Sequence, residues 1–216
     1  MIISDIKQAV KNQNRANVFV DGKYSFSLDI SQVVDFKLKV GQKITEEQLL
    51  EYKKASELGK LYQRTLEWVL IRPRSERETR DYLRKKLKSS SSEGSSQGAC
   101  PSLTSSEESF KLLNDIISRL QSKGYLDDTK FAEYYVENRF VKKGISQKRL
   151  RMELIKKGIA KDIIDTVIDS RNDEEEIHKI IAKKRSKYDD DKLIRYLCRQ
   201  GFSYQLAQSL VACGKD

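Results

Sequence analysis

Apolar residues recur three and four positions apart through most of this chain, and the longest such stretch is written twice. The segment RMELIKKGIAKDIIDTVI (151–168) returns as RYLCRQGFSYQLAQSLV (195–211). A shift of 43 aligns Leu150 with Leu193, Leu154 with Leu197, Gly158 with Gly201, Ile159 with Phe202, Ile163 with Leu206, Val167 with Leu210 and Ile168 with Val211. This spacing predicts a helix with one buried stripe, a left-handed glycine that ends it, and a second short amphipathic helix. A further helical stretch precedes each copy, at 128–143 and 173–188. The repeating unit is therefore three helices.

A third copy emerges when Ser146 is laid over Ser75, a shift of 71 that brings Leu154 onto Leu83 and Lys157 onto Lys86. Its last helix, SFKLLNDIISRLQSKGYL, places Leu112, Leu113, Ile116 and Ile117 on the pattern of Ile163, Ile164, Val167 and Ile168, at a shift of 51. The difference is a 20-residue insertion, located in the Ser/Gly-rich run after Lys88. With almost no apolar content, that run predicts a disordered loop over 89–109.

Boundary residues punctuate each copy. Ser75 with Glu78 reads as a capping box after Pro73, Ser146 as the matching N-cap, and Asp189–Asp191 as an acidic helix start. Upstream, NVFVDGKYSFSL (17–28) alternates around Asp21-Gly22, the two-residue type I′ hairpin signal. Residues 2–10 can add a strand, and Thr45 with Gln48 opens another helix. The expected fold is mainly α: a curved array of three tandem three-helix, helix-turn-helix-like repeats behind a small N-terminal β-hairpin region. The domains are expected at 1–57 (β-rich, with a short helix), 58–125, 126–170 and 171–216.

Composition narrows the function. The 216 residues carry a net charge of +10, with 38% hydrophobic and 34% charged residues, and few Gly and Pro. Residues 1–59 hold nine basic against eight acidic residues, whereas 60–88 hold ten against four, 142–161 eight against one and 183–199 seven against three. The basic character sits in the repeats and suggests a polyanionic partner or an acidic protein surface. Cys100, Cys198 and Cys213 have no metal-site spacing and read as free thiols in a reducing compartment. No metal or cofactor is expected. His178, the single histidine, has no nucleophile or orienting carboxylate around it in sequence, and no phosphate-binding glycine loop is present, so no enzyme is expected. Without an apolar leader or a run of ~20 apolar residues, the chain is expected in the cytoplasm, off the membrane.

With Leu150 and Leu154 buried, helical geometry turns Lys148, Arg151 and Lys156 toward solvent. The same rule exposes Lys192, Arg195 and Arg199, and Arg77, Arg80 and Arg84. Arg72 and Arg74, and Lys142 and Lys143, fall in equivalent turns before the first two caps. Together these form the candidate partner- or nucleic-acid-binding face. Phe131, Tyr134, Tyr135, Phe140 and Trp68 read as core.

Four segments, LIRPRSERETRDYLRKKL, GYLDDTKFAEYYVENRF, KGISQKRLRMELIKKGI and LIRYLCRQGFSYQLAQSLV, together resemble the successive signatures of the RecX family, bacterial regulators of the RecA recombinase. The resemblance spans roughly 16–211 and departs at the Ser-rich insertion and at Thr79 and Leu87, where the family usually has Leu and Gly. It implies a non-enzymatic monomer. It further implies binding along the RecA–DNA filament, single- and double-stranded DNA being met directly or through that filament. The consequence would be restraint of filament extension, ATP hydrolysis and strand exchange in recombination, DNA repair and the SOS response. The alternative is a sequence-independent DNA- or RNA-binding helical-repeat protein that acts without a recombinase. Such a protein should lose bare-DNA affinity steeply with salt, whereas filament recognition should need the assembled partner.

Overall fold

The computed structural model describes residues 1–10, 12–92, 106–169 and 172–213, except for the side chains of 89–92, 106 and 139–143. Three strands, β1 (Ile3–Gln8), β2 (Arg15–Val20) and β3 (Lys23–Asp29), form an antiparallel sheet in sequence order. A short helix α1 (Ile30–Asp35) follows. Three triplets of helices come next: α2 (Glu46–Leu70), α3 (Glu76–Ser92) and α4 (Ser106–Ser122); α5 (Asp128–Lys143), α6 (Gln147–Lys156) and α7 (Lys161–Ile168); α8 (Asp173–Lys184), α9 (Asp190–Arg199) and α10 (Tyr204–Cys213). The fold is mainly α with a small N-terminal sheet. No helix among the described residues is long and apolar enough to cross a membrane.

Contacts divide the chain into two compact units, Met1–Ile71 with Arg80–Tyr125, and Arg72–Thr79 with Leu126–Asp216. In the first, the hairpin turn is the one the sequence predicts. Val20 pairs with Lys23, and Asp21 and Gly22 both take positive φ (49° and 80°), as a type I′ turn requires. Ile3, Val18, Val20, Phe26 and Leu28 line one sheet face and bury Tyr52 of α2. Arg15 ties this layer together from a nearly buried position. Its guanidinium donates to Asp29 Oδ1 (3.0 Å), to the Ser27 carbonyl (2.6 Å) and hydroxyl (3.2 Å), and to the Ser56 carbonyl on α2 (3.3 Å). Helix α2 starts on the predicted box, Thr45 accepting from the Gln48 N–H and Gln48 returning to the Thr45 N–H. It runs unbroken through the expected boundary at 57/58, because nothing between Glu46 and Leu70 interrupts helical hydrogen bonding. Trp68 is half-buried rather than fully enclosed, stacked on Tyr82 with centroids 4.4 Å apart and rings 8° from parallel. Leu113, Ile116, Ile117 and Leu120 make α4 the apolar face the shifted pattern predicts.

Of the loop expected over 89–109, residues 89–92 and 106–109 are helical instead. Helix α3 continues to Ser92 because Leu87 stands where a glycine would stop it, and α4 begins at Ser106; residues 93–105 lie outside the described residues.

The second unit holds two three-helix cores. Phe131, Val136, Ile145, Leu150, Leu154, Ile159, Ile164 and Ile168 enclose one; Ile177, Ile180, Ile181, Leu193, Leu197, Phe202, Ala207 and Val211 enclose the other. Gly158 and Gly201 end α6 and α9 at φ 83° and 97°, so the aligned glycines share one backbone state.

Candidate functional site

The frame for any binding face is the joint between successive repeats, which the second unit shows twice. In the first joint, Ser75 caps α3 by accepting from the Glu78 N–H (3.1 Å) while its own hydroxyl donates to the Lys157 carbonyl at the end of α6 (2.9 Å). The Glu76 N–H, left over at the helix start, donates to Asp128 at the head of α5 (2.8 Å). In the second joint, Ser146 accepts from the Arg149 N–H (3.2 Å) and its backbone N–H donates to the Gln200 carbonyl at the end of α9 (3.2 Å). The Gln147 N–H donates to Asp173 at the head of α8 (2.8 Å). Helices α3 and α6 thus each plant the N-terminus on the C-cap turn and the leading aspartate of the next repeat.

Charge at these joints is tuned by burial. Asp128 and Asp173 are half-buried, and burial pushes both carboxyls above the usual range against the lowering pull of the backbone N–H each accepts. Burial also works to raise Glu78, but hydrogen bonds from Lys157 (2.6 Å) and Arg72 (3.3 Å), with their charges, outweigh it and hold that carboxyl low. Glu78 does not return to the Ser75 N–H as a full capping box predicts, because these two cations occupy it. Arg149 spans the second joint, donating to the Arg199 carbonyl (2.7 Å).

The sequence-derived cations divide on this frame. Arg77, Arg84, Lys148, Lys156, Lys192, Arg195 and Arg199 are exposed; Arg72, Arg74, Arg80 and Arg151 are half-buried. Arg80 donates to Asn114 Oδ1 (2.8 Å) and Arg151 to Asp165, so these two brace neighbouring helices instead of facing solvent freely. Helical spacing gives a direction around a helix but not the neighbour that fills it. Arg84 pairs with Asp81 (3.3 Å) and Lys192 with its N-cap Asp189 (2.9 Å), both in the open. The side chains of Lys142, Lys143 and Phe140, and Cys100, lie outside the described residues. Phe131 and Tyr135 pack as expected, Tyr135 donating to Glu153 (2.9 Å).

Laying the three middle helices in register corrects the stripe. The position of Arg77 and Lys148 carries Asp191, that of Arg80 and Arg151 carries Ile194, and that of Arg84 carries Ile155 and Cys198. One position is basic and exposed in all three repeats: Lys85, Lys156 and Arg199. Lys85 is the member that choosing residues by distance from the buried leucines misses, and the register recovers it. The leading aspartates are hidden for a related reason, since Asp128 and Asp173 stand 45 apart while the repeat aligns at 43.

Known proteins match two separate parts of the chain and, as whole sequences, most of its length. A family model described as the regulatory protein RecX N-terminal domain matches residues 1–45, and one described as RecX, second three-helix domain, matches residues 127–168. A regulatory protein RecX of Bacillus velezensis is 31% identical over 214 residues, covering 94% of this chain and 74% of its own length. That of Listeria monocytogenes serovar 1/2a is 29% identical over 219 residues, covering 97% and 74%. Among solved structures, a crystal structure of regulatory protein RecX superposes with a TM-score of 0.67 at 24% identity, covering 97% of this chain and 98% of that one. RecX from Lactobacillus salivarius gives 0.51 at 19% identity over 73% and 96%. These two likenesses are of fold.

Proposed function

Since the chain belongs to the RecX family of regulatory proteins, we propose that it is a non-enzymatic regulator that binds the RecA–DNA filament and restrains recombinase ATP hydrolysis, filament extension and strand exchange. The observation that carries this reading is the single position, Lys85, Lys156 and Arg199, ten residues beyond the caps Ser75, Ser146 and Asp189, at which every middle helix exposes a cation. A cation repeated at a fixed place in a repeated fold suits an anionic target that itself repeats, and a nucleoprotein filament offers both phosphates and acidic side chains at regular intervals. Long-range attraction of this kind speeds encounter more than it tightens the complex, which suits a modulator that must find its target on DNA.

The test is single-stranded-DNA-dependent ATP hydrolysis by RecA, with and without this protein. Inhibition well below one copy per recombinase is the expected result. No effect on hydrolysis, together with salt-sensitive binding to bare DNA, would instead establish a general nucleic-acid binder.

A further inference from the structure

The middle repeat differs from its neighbours at the centre of its exposed helix face. Met152 and Ile155, three apart on α6, are 54% and 55% exposed. Lys148 lies one turn before Met152 and Lys156 one turn after it, so the solvent face of α6 reads as two cations with an apolar pair between them. The register positions of that pair are Asp81 and Arg84 in α3, and Arg195 and Cys198 in α9. Only α6 among the three has two large aliphatic side chains there. Nor does its own acid neutralise the face: Glu153, the one carboxylate among residues 142–161, is turned toward Tyr135 (2.9 Å) and Arg149 (3.4 Å). Among the described residues, no carboxylate pairs with Lys148 or Lys156.

Resting on the filament reading above, we propose that Met152 and Ile155 are the anchor of the interface. They seat on an apolar patch of the recombinase protein itself, rimmed by carboxylates that meet Lys148 and Lys156. A phosphate backbone offers nothing to two aliphatic side chains, whereas a protein surface gains by desolvating them. An apolar centre ringed by charge is the arrangement in which a few central residues carry most of the affinity. The cations of the outer repeats then supply attraction, and α6 supplies the choice of partner.

The experiment titrates the full chain, fluorescently labelled, onto RecA filaments assembled on oligo(dT) with a slowly hydrolysed ATP analogue. A parallel titration uses bare oligo(dT), and both are repeated over a range of salt concentrations. Met152→Gln/Ile155→Gln keeps helix propensity and should bind filaments about tenfold or more weaker, with an unchanged salt slope, unchanged melting temperature and unchanged binding to bare oligo(dT). Met152→Leu should retain filament binding. Lys148→Gln/Lys156→Gln should flatten the salt dependence instead. Wild-type filament affinity in the double Gln variant overturns the proposal. An equal loss on bare oligo(dT) overturns it in favour of a nucleic-acid contact, and a wild-type dimer in sedimentation that the variant abolishes overturns it in favour of a second copy. If the wild-type chain does not bind filaments, the functional reading falls and the anchor with it; binding by the wild type and an insensitive variant sinks the anchor alone.

Discussion

At Gly158 and Gly201 the absence of a side chain does two things at once. Both residues sit at positive φ, and a Cβ at Gly158 would stand 2.8 Å from Arg77 Cβ, one at Gly201 2.5 Å from the Ser146 hydroxyl oxygen. Neither neighbour can swing away, since Arg77 Cβ is fixed to its backbone and Ser146 is the cap of α6. Gly22 also has a positive φ, with nothing within 4 Å of its would-be Cβ, so Gly22→Ala isolates the backbone cost of about 1–2 kcal/mol. Gly201→Ala should cost about 1 kcal/mol more, the usual worth of a lost cap, when the two are compared by urea denaturation followed by circular dichroism. Equal costs would mean that the turn of α9 does not press on α6. Arg15 depends on shape as well as charge: four acceptors converge on a guanidinium fork that lysine cannot reproduce. Arg15→Lys should therefore lose about 2 kcal/mol or more, as expected when buried acceptors lose a charged donor, and an unchanged denaturation midpoint would show that the sheet does not need the clamp.

Between elements, the joints carry opposite pH dependences. The Asp173 carboxyl is raised in the folded chain, so the fold binds more protons than the unfolded chain between the unfolded value of 3.8 and the raised one. Stability falls as pH climbs through that window. Glu78 is lowered, so its contribution is present above the unfolded value of 4.5 and lost as pH falls through the folded one. Asp173→Asn keeps an acceptor for the Gln147 N–H without the buried charge. It should match or exceed the wild type at pH 7 and lose stability less steeply with rising pH, while Asp173→Ala should cost about 1 kcal/mol for the orphaned N–H. Denaturation midpoints from pH 4 to 7 decide it; an Asn variant as weak as the Ala one at pH 7 would show that the α6 terminus needs the negative charge itself. Local sequence specifies the caps and turns but not these joints. The caps at Thr45, Ser75 and Ser146, the acidic start of α9 at Asp189–Asp191, the hairpin turn and both C-cap glycines are legible, because each is decided by residues within a few positions. The joints pair residues 26 to 82 positions apart, and one of their two aspartates is displaced by a two-residue slip between repeats. The bracing roles of Arg80 and Arg151 were hidden likewise, since Asn114 and Asp165 belong to other helices.

For the whole molecule, that distinction decides which charges to reverse. Changing Arg80 and Arg151 to Glu would strip Asn114 and Asp165 of their donors, so a loss of binding there could reflect a loosened fold. Lys85, Lys156 and Arg199 are exposed, and reversing all three to Glu should leave helical content and melting temperature unchanged while abolishing inhibition of RecA ATP hydrolysis. The same triple variant separates phosphate from carboxylate as the target. If each cation neutralises one phosphate, the logarithmic salt slope for bare duplex DNA should fall by about 0.9 per residue, or about 2.7 for the three. If they meet acidic side chains of the recombinase, the bare-DNA slope should stay where it is while filament binding collapses. A triple variant that still inhibits would remove the repeated cation from the mechanism and leave the apolar pair on α6 to account for recognition.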